Sequence, residues 1–133
     1  MAQTHLGTAL VTGASSGIGA LYAEKLAQRG YDLILVARNR ERLNALASSI
    51  STRTGRAVEV QPADLNDRAE LARVEEQLRT DASITLLVNN AGMGTHTPLL
   101  QSDVEQMTSM VELNVTAPMR LAYAAVPGFV ARA

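Results

Sequence analysis

Residues 10–20 read LVTGASSGIGA: an apolar run, then glycines at 13, 17 and 19 with serines at 15 and 16 between them. The spacing differs from the G-x-G-x-x-G pattern usually taken as a dinucleotide fingerprint. An ordinary turn from strand to helix accounts for one glycine, but hardly for three within seven residues. A helix start carries N–H groups without partners and a partial positive charge, and glycines let an anion approach that backbone closely. Gly13, Gly17 and Gly19, with hydroxyls from Thr12, Ser15 and Ser16, therefore read as a phosphate cradle.

Outward from this loop, short apolar runs alternate with helical patterns. Residues 8–12 (TALVT), 32–37 (DLILVA), 57–60 (AVEV) and 84–88 (ITLLV) are the expected strands, near-continuously apolar as in a sheet covered on both faces. Ile18, Leu21, Tyr22 and Leu26 form one helical stripe, ending at Gly30, and Leu43, Leu46, Ala47 and Ile50 form a second, ending toward Gly55. A third, Leu71, Val74 and Leu78, has Asn66 or Asp67 as N-cap. The last opens on the Ser-x-x-Glu capping box at 102–105 and is expected to bury Met107, Met110 and Val111. Strict alternation of strand and helix implies right-handed βαβ units, a parallel sheet and one α/β domain over residues 1–133. The longest loop, 92–102, follows a strand's C-terminal end, where open α/β sheets bind ligands.

Composition narrows the function. Twelve basic and 13 acidic residues give a net charge of −1, so neither nucleic acid nor an anionic membrane is an expected partner. The absence of cysteine excludes disulfides and thiolate zinc sites, and His5 and His96 are too far apart to suggest a metal site. The N-terminus lacks the charged and apolar regions of a signal peptide, and no apolar run reaches the roughly 18 residues of a membrane span, so a cytoplasmic protein is expected.

The end of the second strand bears on the ligand. An acid about 20 residues beyond a glycine loop holds a ribose 2′-hydroxyl, whereas an arginine there accommodates a 2′-phosphate. Here Ala37 stands in the acid's place and Arg38 follows. Arg38 is read as a phosphate contact; Arg40 and Arg42, interleaved with Glu41, are read as a solvated helix face.

Four motifs in order, TGASSGIG (12–19), DL (64–65), NNAG (89–92) and LN (113–114), make the chain resemble the short-chain dehydrogenase/reductase superfamily along its whole length. The spacing T-G-x-x-x-G-x-G is that family's own glycine motif. The resemblance implies a Rossmann-like doubly wound sheet and an NADP(H) cofactor, with NAD(H) the lesser alternative. Gly13, Ser15, Ser16, Gly17 and Gly19 would shape the pyrophosphate loop, with a backbone contact from Ile18. Arg38 would select the 2′-phosphate; some members also carry a basic residue just before the second glycine, where this chain has Ser16. Asp64 and Leu65 would meet the adenine, and Asn89, Ala91 and Gly92 would line the ribose side. Asn114 would kink its helix and hold a relay water on its backbone carbonyl. The residues agree in one respect: Pro118 has no N–H for the carbonyl four positions back, that of Asn114. A proline kink serving packing alone is the alternative.

The family's chemistry also needs a Ser and a Tyr-x-x-x-Lys, and no tyrosine of this chain precedes a lysine by four. The resemblance implies that the 133 residues are the N-terminal, cofactor-binding half of such an enzyme, with four of seven strands in the order 3-2-1-4 and inactive alone. That order leaves ITLLV as an open, uncharged edge, so self-association or a complementing segment through the fourth strand and last helix is expected. The alternatives are a non-catalytic nucleotide-binding or interaction module ending at residue 133, and an α/β domain that binds no nucleotide.

Overall fold

The computed structural model describes residues 5–133. Its strands are β1 (Thr8–Thr12), β2 (Asp32–Ala37), β3 (Val58–Pro62) and β4 (Ile84–Val88). Its helices are α1 (Gly17–Gln28), α2 (Arg40–Thr54), α3 (Arg68–Thr80), α4 (Val104–Val111) and α5 (Ala117–Ala131). The strands form one parallel sheet in the order β3-β2-β1-β4, the Rossmann-like arrangement expected.

Side chains alternate across a strand, so each strand serves two cores. Leu10, Ile34, Val36 and Ile84 pack under α3 and α5, whose Leu71, Val74, Leu78 and Leu121 close that side. Ala9, Val11, Leu33 and Leu35 pack under α1 and α2 with Ala23, Leu26, Leu43 and Ile50. β1 and β2 are buried along most of their length; β3 and β4, with one neighbour each, are mostly half-buried, with Ile84 the buried residue of β4. β3 runs two residues further than expected, to Pro62, which an edge strand tolerates.

Local chemistry sets the helix ends. Asp67, one of the two expected caps, accepts from the N–H groups of Ala69 and Glu70, and Gly55 ends α2 in the left-handed region at φ 72°. At the start of β2, Asp32 binds Arg56 and the Ala57 N–H, with His5 Nε2 2.9 Å from its carboxylate. Burial pushes its carboxyl up, but these hydrogen bonds and the Arg56 charge outweigh that and hold it below the usual carboxylate value.

Three expectations are corrected. Helix α1 does not bury Ile18, Leu21 and Tyr22, which are 67%, 56% and 50% exposed; it buries Gly19, Ala23, Leu26 and Ala27. A Cβ on Gly19 would collide with the Gly13 carbonyl, so α1 starts in backbone contact with the glycine loop, and its small residues are turned to the sheet. The cap of α4 is Asp103, which accepts from the Glu105 N–H, while the Ser102 hydroxyl turns back to the Leu99 carbonyl. The last helix is not one continuous α-helix, and neither Met107, Met110 nor Val111 is buried. Between α4 and α5, residues 112–116 form a π-helical turn in which the Ala117 N–H reaches five residues back to the Glu112 carbonyl. Helix α4 is joined through this turn rather than laid on the sheet, so no residue of α4 is buried. Among the described residues no helix is long and apolar enough to cross a membrane.

Candidate functional site

At the C-terminal ends of β1, β2 and β3 lies a cleft of about 720 Å³. Its first wall is the glycine loop. Gly13 (φ 62°) and Gly17 (φ 57°) take backbone conformations that side-chain-bearing residues rarely adopt. Gly13 also has no room for a Cβ, which would lie 2.9 Å from the Ala91 Cα. Ser16 is the N-cap of α1, yet its side chain caps nothing, and among the described residues no hydrogen bond engages the hydroxyl of Ser15 or Ser16. The hydroxyls and first-turn N–H groups of α1 are thus free for a ligand.

The second wall is the end of β2 and the start of α2. Arg38 and Asn39 are exposed and line the cleft with Arg42. The Asn39 side chain accepts from the Arg42 N–H at 3.0 Å and so caps α2. No acid pairs with Arg38 or Arg42 among the described residues.

The third wall follows β3. Asp64 Oδ1 accepts from the Asn66 N–H at 2.9 Å, and Leu65 is buried beside it. Asn66 Oδ1 is buried without a hydrogen-bond partner, an acceptor facing no donor in a structure where such groups are few.

The floor is the turn after β4, fastened to β1 by Thr12. The Thr12 hydroxyl is not turned to a phosphate, as expected from the sequence. It is buried, accepts from the N–H groups of Asn90 and Ala91 at 3.0 Å each, and donates to the Val88 carbonyl. Asn90 Nδ2 donates to the Gly13 carbonyl at 3.2 Å, tying the glycine loop to β4.

Of the residues singled out in the sequence, Gly13, Ser15, Ser16, Arg38, Asp64, Leu65, Ala91 and Gly92 line this cleft. Gly17, Ile18, Gly19, Asn89 and Asn114 do not. Gly19 is buried behind the loop, Ile18 faces outward, and Asn89 Nδ2 donates to the Pro118 carbonyl. Asn114 is exposed, and satisfies its amide on the loop after β4. Its Oδ1 accepts from the Met93 N–H at 2.8 Å and its Nδ2 donates to the Met93 carbonyl at 2.6 Å. Asn90, Asn66 and Arg42 were missed by sequence reasoning; only Asn90 had a signal, as the second Asn of NNAG. Among the described residues no group of three or more His, Cys, Asp or Glu could hold a metal ion.

The family model for short chain dehydrogenase matches residues 7–133. A bulky-bulky ketone specific alcohol dehydrogenase from Comamonas testosteroni superposes with a TM-score of 0.94 and 47% identity over 97% of this chain and 52% of that one. A short-chain dehydrogenase from Sphingobium yanoikuyae, solved in complex with NADPH, gives 0.93 and 51% over 96% of this chain and 50% of that one. A very-long-chain 3-oxoacyl-CoA reductase of Pyrenophora tritici-repentis is 32% identical over 93% of this chain and 38% of its own length. The chain thus spans about half the length of the two solved relatives and little over a third of the reductase.

Proposed function

The chain belongs to the short chain dehydrogenase family, and on that premise we propose that residues 1–133 are the cofactor-binding domain of an NADP(H)-dependent oxidoreductase acting on an alcohol/carbonyl pair. The observation that carries the cofactor choice is Arg38, exposed on the cleft wall with no acid partner among the described residues, next to Ala37, where a carboxylate would favour NAD(H). The NADPH bound by the Sphingobium relative supports the same choice.

The cleft fits such a group on its own evidence. The glycine cradle and the free serines suit a pyrophosphate, and the unpartnered Asn66 Oδ1 suits a donor such as an adenine amine. In this reading Gly13, Ser15 and Ser16 line the pyrophosphate site, Gly17 and Gly19 shape the loop behind them, and Ile18 contributes its backbone. Arg38 takes the 2′-phosphate, Asp64 and Leu65 border the adenine, and Ala91 and Gly92 form the ribose side, with Asn89 behind them on the Pro118 carbonyl. The nicotinamide supplies or accepts the hydride when bound. Asn114 is the one catalytic position among these residues: its side chain is held on Met93, and its backbone carbonyl, to which Pro118 offers no N–H, would hold a relay water. With no Tyr-x-x-x-Lys among them, the 133 residues transfer no hydride alone. The open edge of β4 and the exposed face of α5 take a complementing segment or a second copy.

Fluorescence titration with NADPH and NADH tests the reading. Arg38→Ala is expected to weaken NADPH about tenfold or more and leave NADH unchanged, as loss of a charge-assisted phosphate contact requires. Gly17→Ala should weaken both, because Gly17 lies at φ 57°. Equal affinity for the two cofactors in the unaltered chain sinks the NADP(H) assignment.

A further inference from the structure

Arg38 shares its wall of the cleft with a second cation. We propose that Arg42 is a further specificity-determining residue, closing with Arg38 on the 2′-phosphomonoester of the adenosine ribose; this rests on the NADP(H) reading above and extends it by one residue.

Placement comes first. Arg38 and Arg42 both line the cleft, whereas Arg40, between them in sequence, does not. The capping bond from the Arg42 N–H to Asn39 fixes the backbone from which the Arg42 side chain departs.

Charge comes second. Arg53, Arg56, Arg73, Arg79 and Arg120 each pair with a carboxylate of this chain. Arg38 and Arg42 pair with none among the described residues, although Glu41 adjoins Arg42 in sequence. Both stand at the N-terminal end of α2, where a cation opposes the helix dipole. Two unpaired guanidiniums in that place are unfavourable until an anion sits between them.

The ligand's chemistry comes third. A phosphomonoester carries roughly −1.5 to −2 charge at neutral pH and presents three acceptor oxygens. One guanidinium leaves part of that charge uncompensated, and two forks grip more of the oxygens. The glycine-loop wall contributes Ser15 and Ser16 but no cation. The second positive charge therefore comes from α2.

Calorimetric titration of the 133-residue chain with NADP+, NAD+ and adenosine 2′,5′-bisphosphate tests this in Arg38→Ala, Arg40→Ala, Arg42→Ala and Arg42→Lys, with circular dichroism melts verifying the fold. Arg42→Ala is expected to weaken both 2′-phosphorylated ligands about tenfold and leave NAD+ unchanged. Arg42→Lys should recover part of the loss, and Arg40→Ala should change nothing. If Arg42→Ala leaves the NADP+/NAD+ ratio intact while Arg38→Ala lowers it, or weakens all ligands alike, Arg42 has no such role and the NADP(H) reading stands. An unaltered chain that binds NADP+ no better than NAD+, or binds neither, overturns that reading itself.

Discussion

Thr12 shows how much one hydroxyl organises. It ends β1, and in a buried place it satisfies two N–H groups of the turn after β4 while donating to Val88. Thr12→Val keeps the shape and strands both donors, so it should cost about 1–3 kcal/mol in urea denaturation. Thr12→Ser should return most of that loss, since the oxygen is restored. NADPH affinity should fall with the first variant and recover with the second, because Gly13 rests on the same turn. Residues such as Gly13, Gly17 and Arg38 were legible in the sequence because their chemistry is tied to local spacing. Asn66 and Arg42 were not. Whether a polar side chain meets the cleft or the solvent depends on where its helix or turn begins in space, and the charge pattern around Arg42 is also that of a solvated face.

At the scale of elements, boundaries were legible and faces less so. β1, β2 and β4 fall where apolar runs place them, because a two-sided core demands continuous apolar sequence. Helix α1 did not follow its large apolar residues. Backbone contact at Gly19 fixes its rotation, and periodicity carries no record of that contact. Among the described residues one polar pair joins α3 to α5: Glu75, its side chain 7% exposed, accepts from the half-exposed Arg120 at 3.1 and 3.3 Å. Arg120→Ala leaves that carboxylate buried without its partner and should cost about 2 kcal/mol, less than the roughly 3–5 kcal/mol of a fully buried pair because Arg120 keeps contact with water. Replacing both, as Glu75→Leu with Arg120→Met, should come out near neutral. Urea denaturation of the three proteins at one concentration decides between the two outcomes.

For the whole molecule, the two edges of the sheet differ in how they meet solvent. β3 carries Glu59 and ends on Pro62, features that discourage further pairing. β4 has neither charge nor proline, and the Arg132 guanidinium, on the Ile84 carbonyl, blunts its start. Met119, Tyr123, Val126 and Val130 lie exposed along α5. The chain is therefore expected to self-associate with rising concentration in sedimentation velocity; a monomer at all concentrations with one cooperative melt would falsify this. The parallel sheet was legible because strict alternation imposes it, and the order of its strands because the family resemblance does. The surfaces left open were legible only in part, since ITLLV reads as an edge in sequence but the bare α4 does not.

The position of β1 has one more consequence, in time rather than space. Its partner β2 begins 20 residues after β1 ends, whereas β4 begins 72 residues after it. As the chain leaves the ribosome, β1, β2 and β3 can assemble while Thr12 still lacks the groups that will satisfy it. The floor of the cleft exists only once residues 90 and 91 have been made and have closed that long loop, a step with its own entropic cost. A ligand that needs this floor binds only chains that have completed the step. Its affinity therefore includes the cost of closure, and anything that loosens β4 from β1 is felt at the cleft even when every contact residue is intact.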